Sequence, residues 1–420
     1  MPWTVCDAMS QRREFVALAG AEEANVSELC RRFGISRRVA YKWLGRYEAE
    51  GESGLADRSR RPRRSPGQTP EAVESSVLEL RAAHPAWGGR KLRRRLQDLG
   101  AEAVPAASTI TAILRRHGRL DEGEASKHQA FTRFQHAEPN DLWQMDFKGH
   151  FAIAQGRCHP LTVLDDHSRY ALGLAACADE RTATVQAQLT AIFRRYGLPW
   201  RMLMDNGAPW GNSLEDRYTP LTVWLLRLGV AVSHGRPYHP QTQGKDERFH
   251  RTLAAEVLRY ERFRDLAHAQ QRFDAWREVY NLQRPHEALG LAVPASRYTV
   301  SPQAFPEVLP AIEYAPDLPV RKVQDRGELR YQRRVFKLPK AFKGYPVALR
   351  PTARDGELEV LFCRHVIARL DLRVPEPYGL ADPNGRRQGK GGRQEERELN
   401  ELTTLGVTHV SEHLLPLTPV

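Results

Sequence analysis

The sequence predicts a multidomain chain, with all-α helix-turn-helix modules at the N-terminus, a central α/β core and a small β-barrel near the C-terminus. Three observations predict it. Residues 11–50 and 71–118 each hold short helical segments of apolar period separated by turn residues. Residues 140–295 open with consecutive strand-like runs and then alternate helix-like and strand-like runs, the pattern of a mixed sheet covered by helices. Residues 320–375 turn all-β around an Asp355-Gly356 hairpin signal. The length of 420 residues suits two to four domains. The divisions read from the chain are a first helix-turn-helix domain over 1–55, a basic linker over 56–70, a second helix-turn-helix domain over 71–118, a linker over 119–138, a core over 139–300, the barrel over 318–375 and a partly disordered tail over 376–420.

The formal charge of +12 favours a polyanionic partner, because clustered Lys and Arg release counterions when they neutralise phosphates. The five cysteines are scattered and never form a C-x-x-C pair, which argues against a disulfide framework or a thiolate zinc site and fits a reducing cytoplasm. No apolar run approaches the length of a membrane span, and the N-terminus has no signal-peptide pattern, so no membrane role is expected.

In the first module, Gly34-Ile35-Ser36 makes a tight turn, and the Ser36 hydroxyl can satisfy a free N–H of the next helix. On that helix Val39, Trp43 and Leu44 are expected inside. Arg37, Arg38, Tyr41 and Lys42 stay outside near its start, where a recognition helix meets base edges. The alternative is a plain helical hairpin with basic solvent faces. Arg60, Arg61, Arg63 and Arg64, among prolines, suit a linker that tracks a nucleic-acid backbone or minor groove, or a solvated tether. The second module repeats the theme. Arg90 and Lys91 open a helix with a dense basic face, and Ser108 and Thr109 stand at the start of the next, where Pro105 suits the first turn.

In the core, strand-like runs cover 143–154, 160–164, 170–176 and 201–204, and helix-like runs cover 182–196, 219–228, 245–260 and 265–281. Three acids stand out. Asp146 lies inside the apolar, aromatic run Trp143-Gln144-Met145-Asp146-Phe147, where a charge is costly unless partnered. Asp205 closes the run Met202-Leu203-Met204, at a strand's C-terminal end, where α/β sheets place their ligands. Glu247 starts a helix, with Arg251 four residues on and on the same face. Each has a bland reading: a sheet-edge acid paired with Lys148, a turn former, a solvated first-turn glutamate. Together they are suited to hold hard divalent cations for two-metal phosphodiester chemistry. Beyond the core, the run 330–338 reads as one strand, and Arg330, Arg333, Arg334, Lys337, Lys340, Lys343 and Arg350 are candidates for phosphate contact or for a purely structural barrel.

The stretches Trp-x-x-Asp at 143–146, Asp205-Asn206-Gly207 and His239-Pro240-Gln241-x-x-Gly244-x-x-Glu247-Arg248-x-x-Arg251-Thr252-Leu253 resemble the integrase catalytic core of the DDE transposases, which include bacterial insertion-sequence transposases and retroviral integrases. The resemblance implies an RNase H-like fold and a catalytic, metal-binding triad of Asp146, Asp205 and Glu247. It implies two Mg²⁺ per site, with Mn²⁺ as a substitute. Water first attacks a transposon end and frees a 3′-hydroxyl, which then attacks target DNA. Partners implied are double-stranded DNA (element terminal inverted repeats and target) and a second copy of the chain, as a homodimer or higher oligomer on DNA. A cytoplasmic, nucleoid-associated location follows. Gln243, Lys245, Arg248 and Arg251 are expected near DNA.

Departures from the family pattern are visible. The stretch between Asp205 and Glu247 is longer than usual, with the excess placed at 210–219. Ala254 stands where many members carry Lys or Arg, so Arg248 or Arg251 is expected to supply a phosphate contact. No His-His-Cys-Cys zinc module precedes the core. Asp165-Asp166-His167-Ser168-Arg169 is a rival acidic site, read as a hairpin turn held by Arg169 unless it meets metal or DNA. The competing functions are a DNA-binding regulator with an inactive core, against which the intact triad argues, and a stand-alone nuclease, which would not need two upstream DNA-reading modules.

Overall fold

The computed structural model describes residues 7–58, 69–120, 135–211, 218–235, 244–374 and 380–381. The chain falls into two compact units, residues 1–69 and 70–420. The basic stretch 60–64, most of the expected linker at 119–138 and nearly all of the expected tail lie outside the described residues.

Among the described residues, the first unit has three α-helices, α1 (Ala8–Ala19), α2 (Val26–Arg32) and α3 (Arg37–Glu50), followed by a 3-10 turn at Gly51–Leu55. Asn25 accepts from the N–H groups of Ser27 and Glu28 and starts α2. Gly34, at φ +64°, takes the left-handed conformation that the tight turn requires. Ser36 then caps α3 through the Val39 N–H. Phe15, Val16, Cys30, Ala40, Trp43 and Leu55 form the core of this unit. Val39 and Leu44, expected inside, are only half-buried against it, and Ala40 takes the inner position.

The second unit opens with α4 (Glu71–Ala83), α5 (Gly89–Asp98) and α6 (Ala107–Arg116) around Val77, Trp87, Leu92, Leu96, Ile110, Ile113 and Leu114. A Cβ on Gly89 would stand 2.5 Å from the Ala107 carbonyl oxygen and 2.6 Å from Thr111 Oγ1, so only glycine lets α5 and α6 approach this closely. Pro105 lies just before α6 rather than in its first turn, because Ala106 is its extended N-cap residue. Val279 of the core packs against this cluster, and Arg95 donates to Gln283 Oε1 at 3.1 Å.

The core sheet contains β1 (Trp143–Phe147), β2 (Phe151–Ile153), β3 (Gly156–Asp165), β4 (Ala171–Cys177), β5 (Arg201–Met204) and β6 (Ala231–His234). Its order is β2-β3-β1-β5-β6, with β4 paired to β3. β3 runs antiparallel to β1, β2 and β4, whereas β1, β5 and β6 are parallel. The expected single run 143–154 is broken at Gly149, φ +80°, into β1 and β2, both of which pair with β3. The short edge strand β6 was not expected.

Helices cover both faces of this sheet. α7 (Thr182–Tyr196) and α8 (Pro220–Arg227) pack on Trp143, Met145, Val163, Met202 and Met204. On the other face, α9 (Gly244–Leu253) and α10 (Leu266–Leu282) cover Cys158, Leu164 and Leu174 with Phe249, Leu253, Phe273, Trp276 and Tyr280. Because strand side chains alternate, Trp143 and Met145 serve the first face, and Gln144 and Asp146 are left for the face beneath α9. The helix expected over 245–260 ends as α at Leu253 and continues as a π-turn over Ala254–Leu258. There Glu256 meets Arg284 in a buried pair at 2.7 Å and accepts from Trp276 Nε1 at 3.0 Å.

The C-terminal part corrects the expected barrel. β7 (Val320–Lys322), β10 (Pro346–Pro351), β11 (Glu357–Phe362), β12 (His365–Asp371) and β13 (Leu380–Ala381) form an open sheet of order β13-β12-β11-β10-β7, while β8 (Glu328–Tyr331) and β9 (Arg334–Lys337) form a separate hairpin. The apolar face of the sheet finds its cover elsewhere. Val223 and Leu226 of α8 join Leu329 and Phe336 of the hairpin against Val347, Leu349, Val360 and Phe362, so burial does not require closure of the sheet on itself. The single strand expected over 330–338 is broken by Gln332 and Arg333, at φ +47° and +62°, a turn whose twist suits a two-residue hairpin but which carries no glycine to announce it.

Candidate active site

Asp146 sits near the C-terminal end of β1, and Asp205 just beyond the C-terminal end of its parallel neighbour β5. Asp205 is held by its own turn. Gly207 N–H donates to Asp205 Oδ1 at 2.8 Å, and the Asp205 carbonyl lies 2.7 Å from His234 Nδ1. A Cβ on Gly207 would stand 3.5 Å from both carboxylate oxygens, so glycine keeps that side of the acid open. Glu247 stands exposed in the first turn of α9, a helix pinned over β1 by the buried residues Asp246, Phe249, His250 and Leu253.

The electrostatics tie these acids together. Burial pushes the Asp146 carboxyl up to about 7, and the negative charges of Asp205, Glu180 and Glu247 push in the same direction, against a backbone hydrogen bond from Phe147. Asp246 lies fully buried beside them. Burial, then the charges of Asp146 and Asp166, raise its carboxyl well above the usual range, and neither of its side-chain oxygens has a hydrogen-bond partner among the described residues. This concentration of carboxyl groups suits a cation, and its donors are hard oxygens of the kind Mg²⁺ and Mn²⁺ prefer. Among the described residues, no three His, Cys, Asp or Glu side chains are drawn together tightly enough to hold an ion. The structure therefore brings Asp146 and Asp205 into one field, with Glu247 at its rim.

A short chain of contacts orients Asp146. Thr162, its partner across β3, donates its hydroxyl to the Asp146 carbonyl at 3.0 Å. Thr162 Oγ1 also lies 2.9 Å from His250 Nε2, and because its own proton goes to the Asp146 carbonyl, that nitrogen is the donor and Nδ1 the lone-pair side. Nδ1 faces Asp146 Oδ2 at 4.0 Å. Burial, with Lys148 nearby, pulls His250 down to about 4, so the ring is neutral at physiological pH.

The rival acids are accounted for. Asp165 accepts from Asn140 N–H at 2.8 Å, Ser168 N–H at 2.7 Å and Ser168 Oγ at 2.5 Å, which makes it the internal cap of the 165–169 turn. Asp166, 1% exposed, accepts from His136 N–H at 2.9 Å and Gln144 Nε2 at 2.7 Å, and pairs with Lys245 Nζ. Arg169 holds the turn as expected, donating to Gln135 Oε1 and the His167 carbonyl.

The expected DNA-contact residues divide. Arg37, Arg38, Tyr41 and Lys42 are exposed on α3, and Arg90, Ser108 and Thr109 are exposed in the second module. Lys91 instead turns toward the core. Burial pulls it down to about 8, helped by Arg284 and Arg248 and opposed by Glu256 and Glu287. Lys245 is turned inward onto Asp166. Arg248 pairs with Glu287 at 3.6 Å, and Arg251 is exposed with no ion pair among the described residues. Gln243 and the linker arginines Arg60, Arg61, Arg63 and Arg64 lie outside the described residues. In the C-terminal hairpin and sheet, Arg334 donates to the Leu372 and Val374 carbonyls, and Lys337, Lys343 and Arg350 pair with Glu328, Asp325 and Glu359. Sequence reasoning missed Asp246, His250, Thr162 and Glu180. The spacing of Asp246, Phe249, His250 and Leu253 was the available signal, since it marks one helix face.

Known proteins complete the picture. Residues 136–240 and 228–294 match integrase core domain models, 11–63 a helix-turn-helix domain, 39–114 a homeodomain-like domain, and 318–377 the C-terminal domain of IS481 family transposases. The uncharacterized 31.7 kDa protein of insertion element IS407 from Burkholderia multivorans is 28% identical over 301 residues, 69% of this chain and 98% of that protein. The uncharacterized 39.2 kDa protein of insertion element IS476 from Xanthomonas euvesicatoria is 28% identical over 248 residues, 56% of this chain and 67% of that protein. A chain of the simian T-cell lymphotropic virus intasome, solved in complex with PP2A regulatory subunit B56 gamma, is 15% identical over 69% of this chain and 96% of its own, at a TM-score of 0.34. The integrase core and the helix-turn-helix modules define a DNA-acting polynucleotidyl transferase. Together these matches support an integrase-core transposase of a bacterial insertion sequence.

Proposed function

We propose that this transposase cuts the ends of its own element and joins the freed 3′-hydroxyls to target DNA at one site built from Asp146, Asp205 and Glu247. The observation that carries this reading is the crowding of Asp146. A carboxyl pushed up to about 7 by burial and by Asp205 is a poor structural group and a good ligand, because a cation relieves both penalties. Two Mg²⁺ ions bound there, or Mn²⁺ in their place, would activate the attacking oxygen and stabilise the leaving one.

The protein's own contribution is placement. The register of β1 and β5 supports Asp146 and Asp205 as the two neighbouring ligands, and Glu247, in the exposed first turn of α9, is assigned as the third. Thr162, with the neutral His250 ring behind it, fixes the Asp146 backbone. Arg251, exposed one turn after Glu247, is the side chain best placed to meet a phosphate, since Arg248 is already engaged with Glu287. Arg37, Arg38, Tyr41 and Lys42, then Arg90, Ser108 and Thr109, read the terminal repeats at two places, as helix N-termini do in the major groove. Gln243 and the 60–64 arginines are assigned to the same DNA. Two ends must be brought together, so the working form on DNA is a homodimer or larger.

An end-cleavage assay tests this. With Mg²⁺ and a labelled element end, the native chain releases a 3′-hydroxyl, and Asp205→Asn abolishes release while leaving the bound complex intact. A native chain that binds ends and never cuts them would instead support the regulator.

A further inference from the structure

The three proposed metal ligands come from separate elements, and no hydrogen bond joins Asp146 to Glu247 among the described residues. Their spacing must therefore be set by neighbours. Gln144 stands two residues before Asp146 and on the same face of β1. Lys245 stands two residues before Glu247 in the first turn of α9. Both donate to one atom, Asp166 Oδ1, while Asp166 Oδ2 accepts from His136 N–H at 2.9 Å. Asp166 is 1% exposed and the Lys245 side chain 18%.

Lys245 is badly placed for any purely local purpose. A cation in the first turn opposes the helix dipole, and a buried ammonium must be paired. Its placement is explained by Asp166. The rest of α9 is held further along, by Phe249 in the core and by His250 on Thr162. In the first turn, where Glu247 sits and Asp246 is buried, the Lys245 ammonium makes the ion pair that ties α9 to the 165–169 turn.

We propose that Asp166 is a positioning residue: through Gln144 and Lys245 it locks the start of the Glu247 helix onto the Asp146 strand and so sets the gap the two acids offer a divalent cation. This rests on the triad reading above. A buried pair of this kind adds little net stability, because desolvation offsets much of its attraction, so the contribution inferred for it is register. Outer-shell partners that orient metal ligands act in the same way.

The test is Mn²⁺ binding to the full chain by titration calorimetry, with thermal unfolding recorded alongside. Asp166→Asn and Lys245→Met should each weaken Mn²⁺ binding about tenfold, as loss of an orienting partner does. The double variant should bind no more weakly than either single one, and Lys245→Arg should keep the native affinity. Lowered melting temperatures with unchanged Mn²⁺ affinity in Asp166→Asn and Lys245→Met would overturn the proposal, leaving the pair a structural role only. If Asp166→Asn fails to fold, Lys245→Met against Lys245→Arg decides. Asp205→Asn separates the two ideas. If it abolishes Mn²⁺ binding while Asp166→Asn leaves it native, the positioning role alone fails. If Asp205→Asn binds Mn²⁺ normally, the triad reading fails and the positioning role with it.

Discussion

Asp146 carries a conflict that a single residue can report. Its carboxyl is raised to about 7 in the folded chain, above the ordinary value of 3.8 that the unfolded chain keeps. The folded state therefore holds a proton that the unfolded state has lost, and stability falls as pH rises from the lower value through about 7. Without divalent cations, Asp146→Asn should stabilise the protein at pH 8 by on the order of 2–4 kcal/mol and change it little at pH 4. Denaturant unfolding at the two pH values checks this, and added Mg²⁺ should shrink the difference by stabilising only the native acid. A variant no more stable at pH 8 would remove the crowding argument. Arg251 and Arg248 give a second residue-scale contrast. Arg251→Ala should lower end cleavage by tenfold or more, about 1.4 kcal/mol of lost phosphate contact, while Arg248→Ala does less because its partner is Glu287. Equal losses would mean the Glu287 pairing opens on DNA. The three acids were legible because each sits in a recognisable setting: a buried run, a strand end, a helix start. Asp246 was harder to see, since Lys245-Asp246-Glu247-Arg248 is four charges in a row and only the spacing to Phe249, His250 and Leu253 marks the inner face.

At the scale of elements, long periodic segments were readable and short or partnered ones were not. The helix over 182–196 and the strand over 201–204 appear with the expected bounds. β6 escaped because four half-buried residues give no alternation of their own and form a strand only beside β5. The turn at Gln332-Arg333 escaped because left-handed backbone was signalled by neither glycine nor asparagine. Basic residues were the hardest to place. A lysine on a helix looks the same in sequence whether its anion is a phosphate or a carboxylate from a distant strand. Lys91 and Lys245 both proved to face the protein. Arg90 and Lys91 therefore make an informative pair. Arg90→Ala should reduce the salt slope of end binding by about one, and Lys91→Ala should leave the slope unchanged while destabilising the packing of α5 against the core. Equal changes in slope would return Lys91 to the DNA.

On the scale of the whole molecule, the expected order of modules holds, and one architectural expectation does not. The C-terminal sheet stays open because α8 and the β8-β9 hairpin cover its apolar face. That sharing of a core was invisible in sequence, where 318–375 looked self-sufficient. It also means that residues expected to meet phosphates, Arg334 above all, are occupied in holding the C-terminal part together. In the proposed division of labour, Asp146, Asp205 and Glu247 perform both cutting and joining, while separate modules bind the DNA. It is tested most directly by mixing the purified chain with labelled element ends, a target plasmid and Mg²⁺, beside Asp146→Asn. Joined products are expected from the native chain, none from the variant, and equal end binding by both. Joining that survives in Asp146→Asn would contradict it.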